Sequence, residues 1–250
     1  MIAATPVSMT HVRSRAFRNK VIQGLALLAV VITLLVFAPV WFVMATIGIL
    51  GLICLVEITT TNVVTDFLWD DASAREIVAR FGMIIITVCG SLMACKLYAS
   101  ESQQMLLVFY ACFVGVTVTD GAAQLSGVFW YRVFGQRTSM AFGLIRPFKI
   151  TSPKKTIIGF IGGVLLGGVA VIIVNLVAGG GLPWWFTVAI PVCAVGGDLI
   201  ASYAKRKIGT KDFGIYTRKP LLGEHGGVLD RGDGHWFTFM VIGVLSFMFM

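Results

Sequence analysis

Two carboxylates stand three residues apart in Asp230-Arg231-Gly232-Asp233, just behind a His225-Gly226-Gly227 tripeptide. On a helix that begins early enough, both acids share one turn. Carboxylate oxygens suit a hard divalent cation, and a phosphate group can complete its shell. The two glycines permit a tight backbone approach to an anion, and His225 has three readings: a general base, a phosphate donor or a plain loop residue. Upstream, Asp198, Ser202 and Lys205 fall at i, i+4 and i+7 and share one helical face. Asp198 stands inside an apolar run, where a carboxylate is costly unless it is paired, binds a cation or faces water. An ion pair with a Lys or Arg of a neighbouring helix is the structural alternative. Lys205, Arg206, Lys211, Arg231, Lys154 and Lys155 are compatible with a triphosphate or a lipid phosphate headgroup at a membrane surface. Their alternative role is to orient the chain and nothing more.

The elements that must carry these residues are membrane helices. Over 250 residues the chain is 57% hydrophobic and 13% charged, with a mean hydropathy of +0.89, whereas about a quarter of the residues of a soluble domain are charged. Crossing roughly 30 Å of hydrocarbon takes about 20 apolar residues, and spans are expected at 21–38, 40–57, 81–98, 104–119, 156–178, 183–203 and 235–250. The expected fold is all-α and polytopic, with about seven transmembrane helices and an active site at their cytoplasmic ends. It forms a single membrane domain, 1–250, with N-terminal helices in 1–119 and a catalytic region in 120–250. Pro39, which lacks an N–H and clashes with the preceding turn, separates the first two spans into a hairpin or else breaks one long helix, and counting it as a hairpin fixes the topology. Val21 onward reads as a retained first helix rather than a cleaved leader.

Orientation follows from the bases. With the N-terminus in the cytoplasm, the inside segments 1–20, 58–80, 120–155 and 204–234 hold all the lysines and arginines except Lys96, as the positive-inside rule requires. The same arrangement removes nucleic acid as the partner implied by the +8 charge, since the bases flank spans and do not form a soluble patch. The five cysteines show no CxxC or Cys/His spacing, which argues against zinc and against disulfides. Segment 58–80 reads as a solvated surface helix with Asp71 or Ser73 as its cap, and no catalytic role is assigned to it. His11 and His235 read as interfacial. Asp120 is expected where span 104–119 meets the cytoplasm. In span 156–178, Gly159, Gly163 and Gly167 recur every four residues, a spacing that lets membrane helices approach closely and favours packing over phosphate binding.

Taken in order, Ser202, Ala204, Lys205-Arg206, Lys211-Asp212, His225-Gly226-Gly227 and Asp230-Arg231-Gly232-Asp233 resemble the C-terminal pattern of the CDP-diacylglycerol synthase (phosphatidate cytidylyltransferase) family. Ser152-Pro153-Lys154-Lys155-Thr156 with Gly159, Gly162 and Gly163 is similar to a second segment of that family, and Asp120 with Ala123, Gly127 and Phe134-Gly135 to a third. The resemblance covers about 115–235. It departs from the family between Lys211-Asp212 and His225, where the link is longer by about four residues, and at Gly223-Glu224, where the family has Pro-Gly.

The resemblance implies that CTP and phosphatidate react to give CDP-diacylglycerol and pyrophosphate with Mg²⁺, or Mn²⁺, and that a second, monovalent cation is an option. It implies Asp230 and Asp233 as metal ligands, with Asp198 as a further ligand or anchor. Ser202, Lys205, Arg206, Lys211, Asp212, Arg231, Lys154, Lys155 and Asp120 are implied as substrate-binding, and His225 as the residue positioning the loop. The lipid phosphate is already an anionic nucleophile, so no strong base is needed. The partners are then CTP, phosphatidate and the bilayer, with a homodimer left open, and the expected location is a bacterial inner membrane. A membrane nucleotidyl- or phosphotransferase acting on another lipid is the near alternative. An ion-coupled transporter using Asp198 is the distant one.

Overall fold

The computed structural model describes residues 33–35, 37–61, 74–134, 145, 155–214 and 226–250. Among these residues the chain is helical, with no strand: α1 Val40–Thr60, α2 Ala74–Tyr98, α3 Gln103–Phe134, α4 Ile157–Val177, α5 Phe186–Lys207 and α6 Leu229–Phe249. Two units are distinguished, Met1–Ala45 and Thr46–Met250, and the contacts below belong to the second. Expected span 21–38 lies outside the described residues except at its end.

Helices α1 to α5 are long and apolar enough to cross a membrane; within α3 the apolar stretch is Gln103–Tyr131. Large apolar side chains such as Leu92 on α2, Leu165 and Leu176 on α4 and Val188 on α5 face outward, as lipid-facing residues must when no water surrounds the helix. The protein is therefore an all-helical, polytopic membrane protein. Helix α6 is not among the five, since its first turns carry Asp230, Arg231 and Asp233.

Helix α2 starts at Ala74, seven residues before its expected span, and so takes in Arg80. Three further helices differ from their expected bounds, and each difference bears on the site. Helix α3 does not end at 119 but continues to Phe134, so Asp120 lies within the helix, about 26 Å along it from Gln103 at 1.5 Å per residue. The expected division at 119/120 thus falls inside one element. Helix α5 runs on to Lys207, past its expected end at 203, and places Lys205 and Arg206 in its last turn. Helix α6 starts at Leu229, so Asp230 and Asp233 do share its first turn.

Packing explains these lengths. Helix α4 lies against α3 and α5, while α6 lies against α2, α3 and α5. The α4 glycines make the first contact possible. A β-carbon at Gly159 would stand 2.8 Å from the Ala123 carbonyl, and one at Gly163 would stand 3.0 Å from the Thr119 carbonyl. The packing reading of this stripe holds, with small residues letting two backbones meet. On the other side of α4, Gly168 abuts the Thr187 carbonyl, 2.8 Å from where a β-carbon would sit. Pro191, inside α5, lacks the N–H that would otherwise bond that carbonyl. Thr156 caps α4 by accepting the Gly159 N–H at 3.2 Å.

Under the charged end of the bundle, Cys54 and Ile58 of α1, Met83 and Ile86 of α2, Ala201 and Ala204 of α5, Phe213, and Leu229 and Trp236 of α6 form an apolar floor. The cysteines are all free, with Cys54 and Cys112 buried.

Candidate functional site

The floor supports a network of charges drawn from helices far apart in sequence. Lys205, only 9% exposed, ends α5 pointing at the start of α6, with Nζ 2.8 Å from Asp230 Oδ1 and 3.9 Å from Asp233 Oδ2. The other oxygen of Asp230, Oδ2, accepts the backbone N–H groups of Phe213 (3.0 Å) and Gly227 (2.8 Å). Asp230 thus ties the Phe213 segment, the glycine pair and α5 to one carboxylate. Asp233 is buried and accepts its neighbour Gly234 N–H at Oδ1, 2.7 Å away. Burial first, then the charge of Asp198, raise its carboxyl well above the usual carboxylate range, and Lys205 acts against them.

Asp198 faces the same space from the middle of α5. Its Oδ1 accepts the Ser202 hydroxyl at 3.3 Å, which bears out the shared face of these two residues, and its Oδ2 pairs with Lys155 just ahead of α4. The structural alternative for Asp198, an ion pair with a neighbouring segment, is therefore what the geometry displays. Asp120 of α3 lies within electrostatic range of Asp198, Lys155 and Arg231, so four carboxylates and two lysines meet at one end of the bundle.

The remaining expected residues stand apart from this centre. Arg206 is exposed and donates to the Thr210 carbonyl at 3.3 Å. Lys211 is largely exposed and lies 4.0 Å from its neighbour Asp212. Arg231 is exposed on α6 yet within the field of Asp120. His225 and Lys154 lie outside the described residues. His235 packs on α6 against Phe113, with Nε2 3.2 Å from the Thr117 hydroxyl of α3.

The glycines of His225-Gly226-Gly227 do approach an anion, and the anions are the chain's own carboxylates. Gly226 holds φ +84°, a conformation that costs a side-chain-bearing residue energy. A β-carbon there would meet Asp230 Oδ2 at 2.7 Å, and one on Gly227 would meet Glu57 Oε2 at 2.7 Å and the Phe213 carbonyl at 2.7 Å. Glu57 escaped the reading of the sequence, although an acid ending an apolar span is the same signal that singled out Asp198. Arg80 escaped it as well. It falls in the segment 58–80 expected to be solvated, yet it is 3% exposed, donates to the Ile58 and Thr61 carbonyls at the end of α1 and pairs with Glu76 at 2.8 Å.

Could these carboxylates hold a divalent cation? Among the described residues, no three His, Cys, Asp or Glu side chains form a ligand cluster. Asp230 has one oxygen committed to two backbone N–H groups and the other to Lys205. Among the described residues, Asp198 and Asp233 each keep an oxygen whose only ion-pair partner is a lysine, and a lysine can exchange partners. Two carboxylates plus substrate phosphates satisfy a magnesium-like ion. Asp198 with Asp233 fit that chemistry, and Asp230 fits a structural tie.

An all-helical membrane protein with acids and lysines gathered at one end of the bundle has the makings of an enzyme working on charged groups at a bilayer surface. The chain belongs to the Cytidylyltransferase family, whose pattern matches residues 7–249. It is 31% identical over 152 residues to a phosphatidate cytidylyltransferase of Staphylococcus haemolyticus, a match covering 59% of this chain and 52% of that protein. It is 42% identical over 104 residues to one of Helicobacter pylori, covering 40% and 37%. With one of Aquifex aeolicus it shares 37% identity over 114 residues, covering 45% and 41%. The matches thus span about half or less of the length of these relatives.

Proposed function

We propose that the chain transfers a cytidylyl group from CTP to phosphatidate, releasing pyrophosphate and forming CDP-diacylglycerol. The observation that carries this reading is the joining of Lys205, Asp230 and Asp233, motif residues of the family to which the chain belongs, in one buried network beside Asp198. The three relatives bear the name phosphatidate cytidylyltransferase.

In the reaction, a phosphate oxygen of the lipid attacks the α-phosphorus of CTP; the P–O bond to the β-phosphate breaks and pyrophosphate carries off the electron pair. Both reactants are anions, so the site must offset their repulsion and the charge that grows on the leaving group. Lys155 and Lys205, each held by aspartates, can turn toward substrate phosphates, and Arg231 lies beside them at the rim. Ser202 donates to Asp198 and thereby orients it. Arg206 and Lys211 are exposed cations that attract the nucleotide before it docks. His225 and Lys154 are assigned to substrate handling by the resemblance to the family pattern alone.

Mg²⁺, or Mn²⁺, held by Asp198 and Asp233 would neutralise phosphate charge and act as a Lewis acid. Lys155 and Lys205 keep these two acids apart and charge-balanced between turnovers. The site faces the cytoplasm of a bacterial inner membrane, a reading supported by the distribution of bases along the sequence. There CTP arrives from water and phosphatidate enters sideways from the leaflet.

The test follows label from α-phosphate-labelled CTP into the lipid phase, using detergent-purified protein, phosphatidate and Mg²⁺. Transfer that needs the metal and disappears in the Asp198→Asn/Asp233→Asn variant is the expected result. No transfer to phosphatidate from folded protein, with transfer to another phospholipid or isoprenoid phosphate, would replace the acceptor.

A further inference from the structure

Glu57 is fully buried at the end of α1, and its carboxylate meets no lysine or arginine at salt-bridge distance among the described residues. Its two oxygens instead face the beginning of α6. Val228 N–H donates to Oε1 at 2.9 Å and Leu229 N–H donates to Oε2 at 2.8 Å. The first N–H groups of any helix lack an intrahelical acceptor. Here Val228 precedes α6 without a side-chain cap of its own, and a carboxylate from a residue 171 positions earlier takes that role.

Independent contacts hold Glu57 in register. Gly227 leaves room for it, since a β-carbon there would collide with both carboxylate oxygens at 2.7 and 2.8 Å. Thr61 accepts the Gly214 N–H at 2.8 Å, joining the end of α1 to the Phe213 segment that also bonds Asp230. Arg80 binds the Ile58 and Thr61 carbonyls and so closes the end of α1 from the opposite side. The helix that bears Asp230 and Asp233 is thereby seated on an element outside the segment carrying the family motifs.

We propose that Glu57 is a positioning residue for cytidylyl transfer: by capping the first turn of α6 it sets where Asp230 and Asp233 stand against Lys205. The proposal rests on the function proposed above. It implies a loss in the chemical step when the carboxylate is removed, with substrate binding spared, because Glu57 is fully buried and both its oxygens are taken by backbone N–H groups.

The experiment uses the full-length protein in detergent with Glu57→Gln, which keeps the volume but offers a single acceptor oxygen, and with Val228→Pro. The second variant deletes one of the two N–H donors at a residue whose φ of −64° already suits proline. Hydrogen exchange of peptides covering 226–232 is measured beside kcat and KM for CTP and phosphatidate. In Glu57→Gln, the expected result is exchange at least about tenfold faster in that segment, kcat lower by about tenfold or more, and both KM values within about twofold of wild type. Val228→Pro, whose ring Cδ takes the place of the donated hydrogen beside Oε1, should show the same split. Faster exchange with unchanged kcat in either folded variant would reduce Glu57 to a purely structural cap, and unchanged exchange in Glu57→Gln would remove the cap itself. If the wild type transfers no label, the proposed function fails, while exchange still reports on the cap.

Discussion

Glycine does two different jobs in two regions of this bundle. Along the α3–α4 contact, Gly159 and Gly163 bring one helix backbone against the carbonyls of another, and nothing charged is involved. At the start of α6, Gly226 and Gly227 bring backbone against carboxylates, those of Asp230 and Glu57. The freedom granted by a missing β-carbon is the same in both places. The neighbour decides whether it yields adhesion between helices or a cradle for buried charge. Within a bilayer the first needs only close fit, whereas the second needs every oxygen of a buried carboxylate to find a donor.

That contrast can be broken at either end, and the largest effect is expected at the charges. Asp233→Asn should lower label transfer by two or more orders of magnitude, as loss of an electrostatic group acting on developing charge does. Wild-type rates in that variant at saturating Mg²⁺ would remove Asp233 from the site. Replacing Lys205 by Met leaves Asp230 and Asp233 without their shared counter-charge. Because breaking a buried pair costs about 3–5 kcal/mol, the variant should unfold well before wild type in a detergent melting experiment, and recover in part when Asp230 is also replaced by Asn.

Glycine substitutions sharpen the comparison itself. Gly227→Ala should cost stability and activity together, by about 1–3 kcal/mol in melting, because the added methyl displaces the Glu57 carboxylate. Gly163→Ala meets contacts at 3.0 Å. It should cost about 1–3 kcal/mol as overpacking while kcat of the folded protein stays within about twofold of wild type, since no charged side chain is among its contacts. An activity loss in Gly163→Ala as large as that in Gly227→Ala would erase the distinction between the two regions. Smallest of all, Lys211→Ala should raise KM for CTP a few-fold at low salt and little at high salt, as a screened steering charge would.

Much of this was legible in the chain. The apolar runs announced helices α1 to α5, because hydrocarbon-spanning length and backbone satisfaction leave few alternatives. The four-residue glycine rhythm announced the α4 contact, and Asp198 with Ser202 announced a shared face. Other features were hidden. The end of α3 was misread because polar residues after Asp120 resemble a helix exit, whereas packing against α4 carries the helix on to Phe134. Arg80 was read as solvated because local composition cannot reveal that two carbonyls at the end of α1 are waiting for it.

The amino-acid sequence by itself determined that this is a helical membrane protein and which acids and lysines match the family pattern, since these depend on composition and on spacing along one helix. Only the tertiary structure decided how the charges are shared. Asp230 became a tie between backbone segments, Asp198 met Lys155, and Glu57 reached an amide 171 residues away. Those choices turn on which helix ends arrive at the same place, and a buried carboxylate takes whatever donors that meeting supplies.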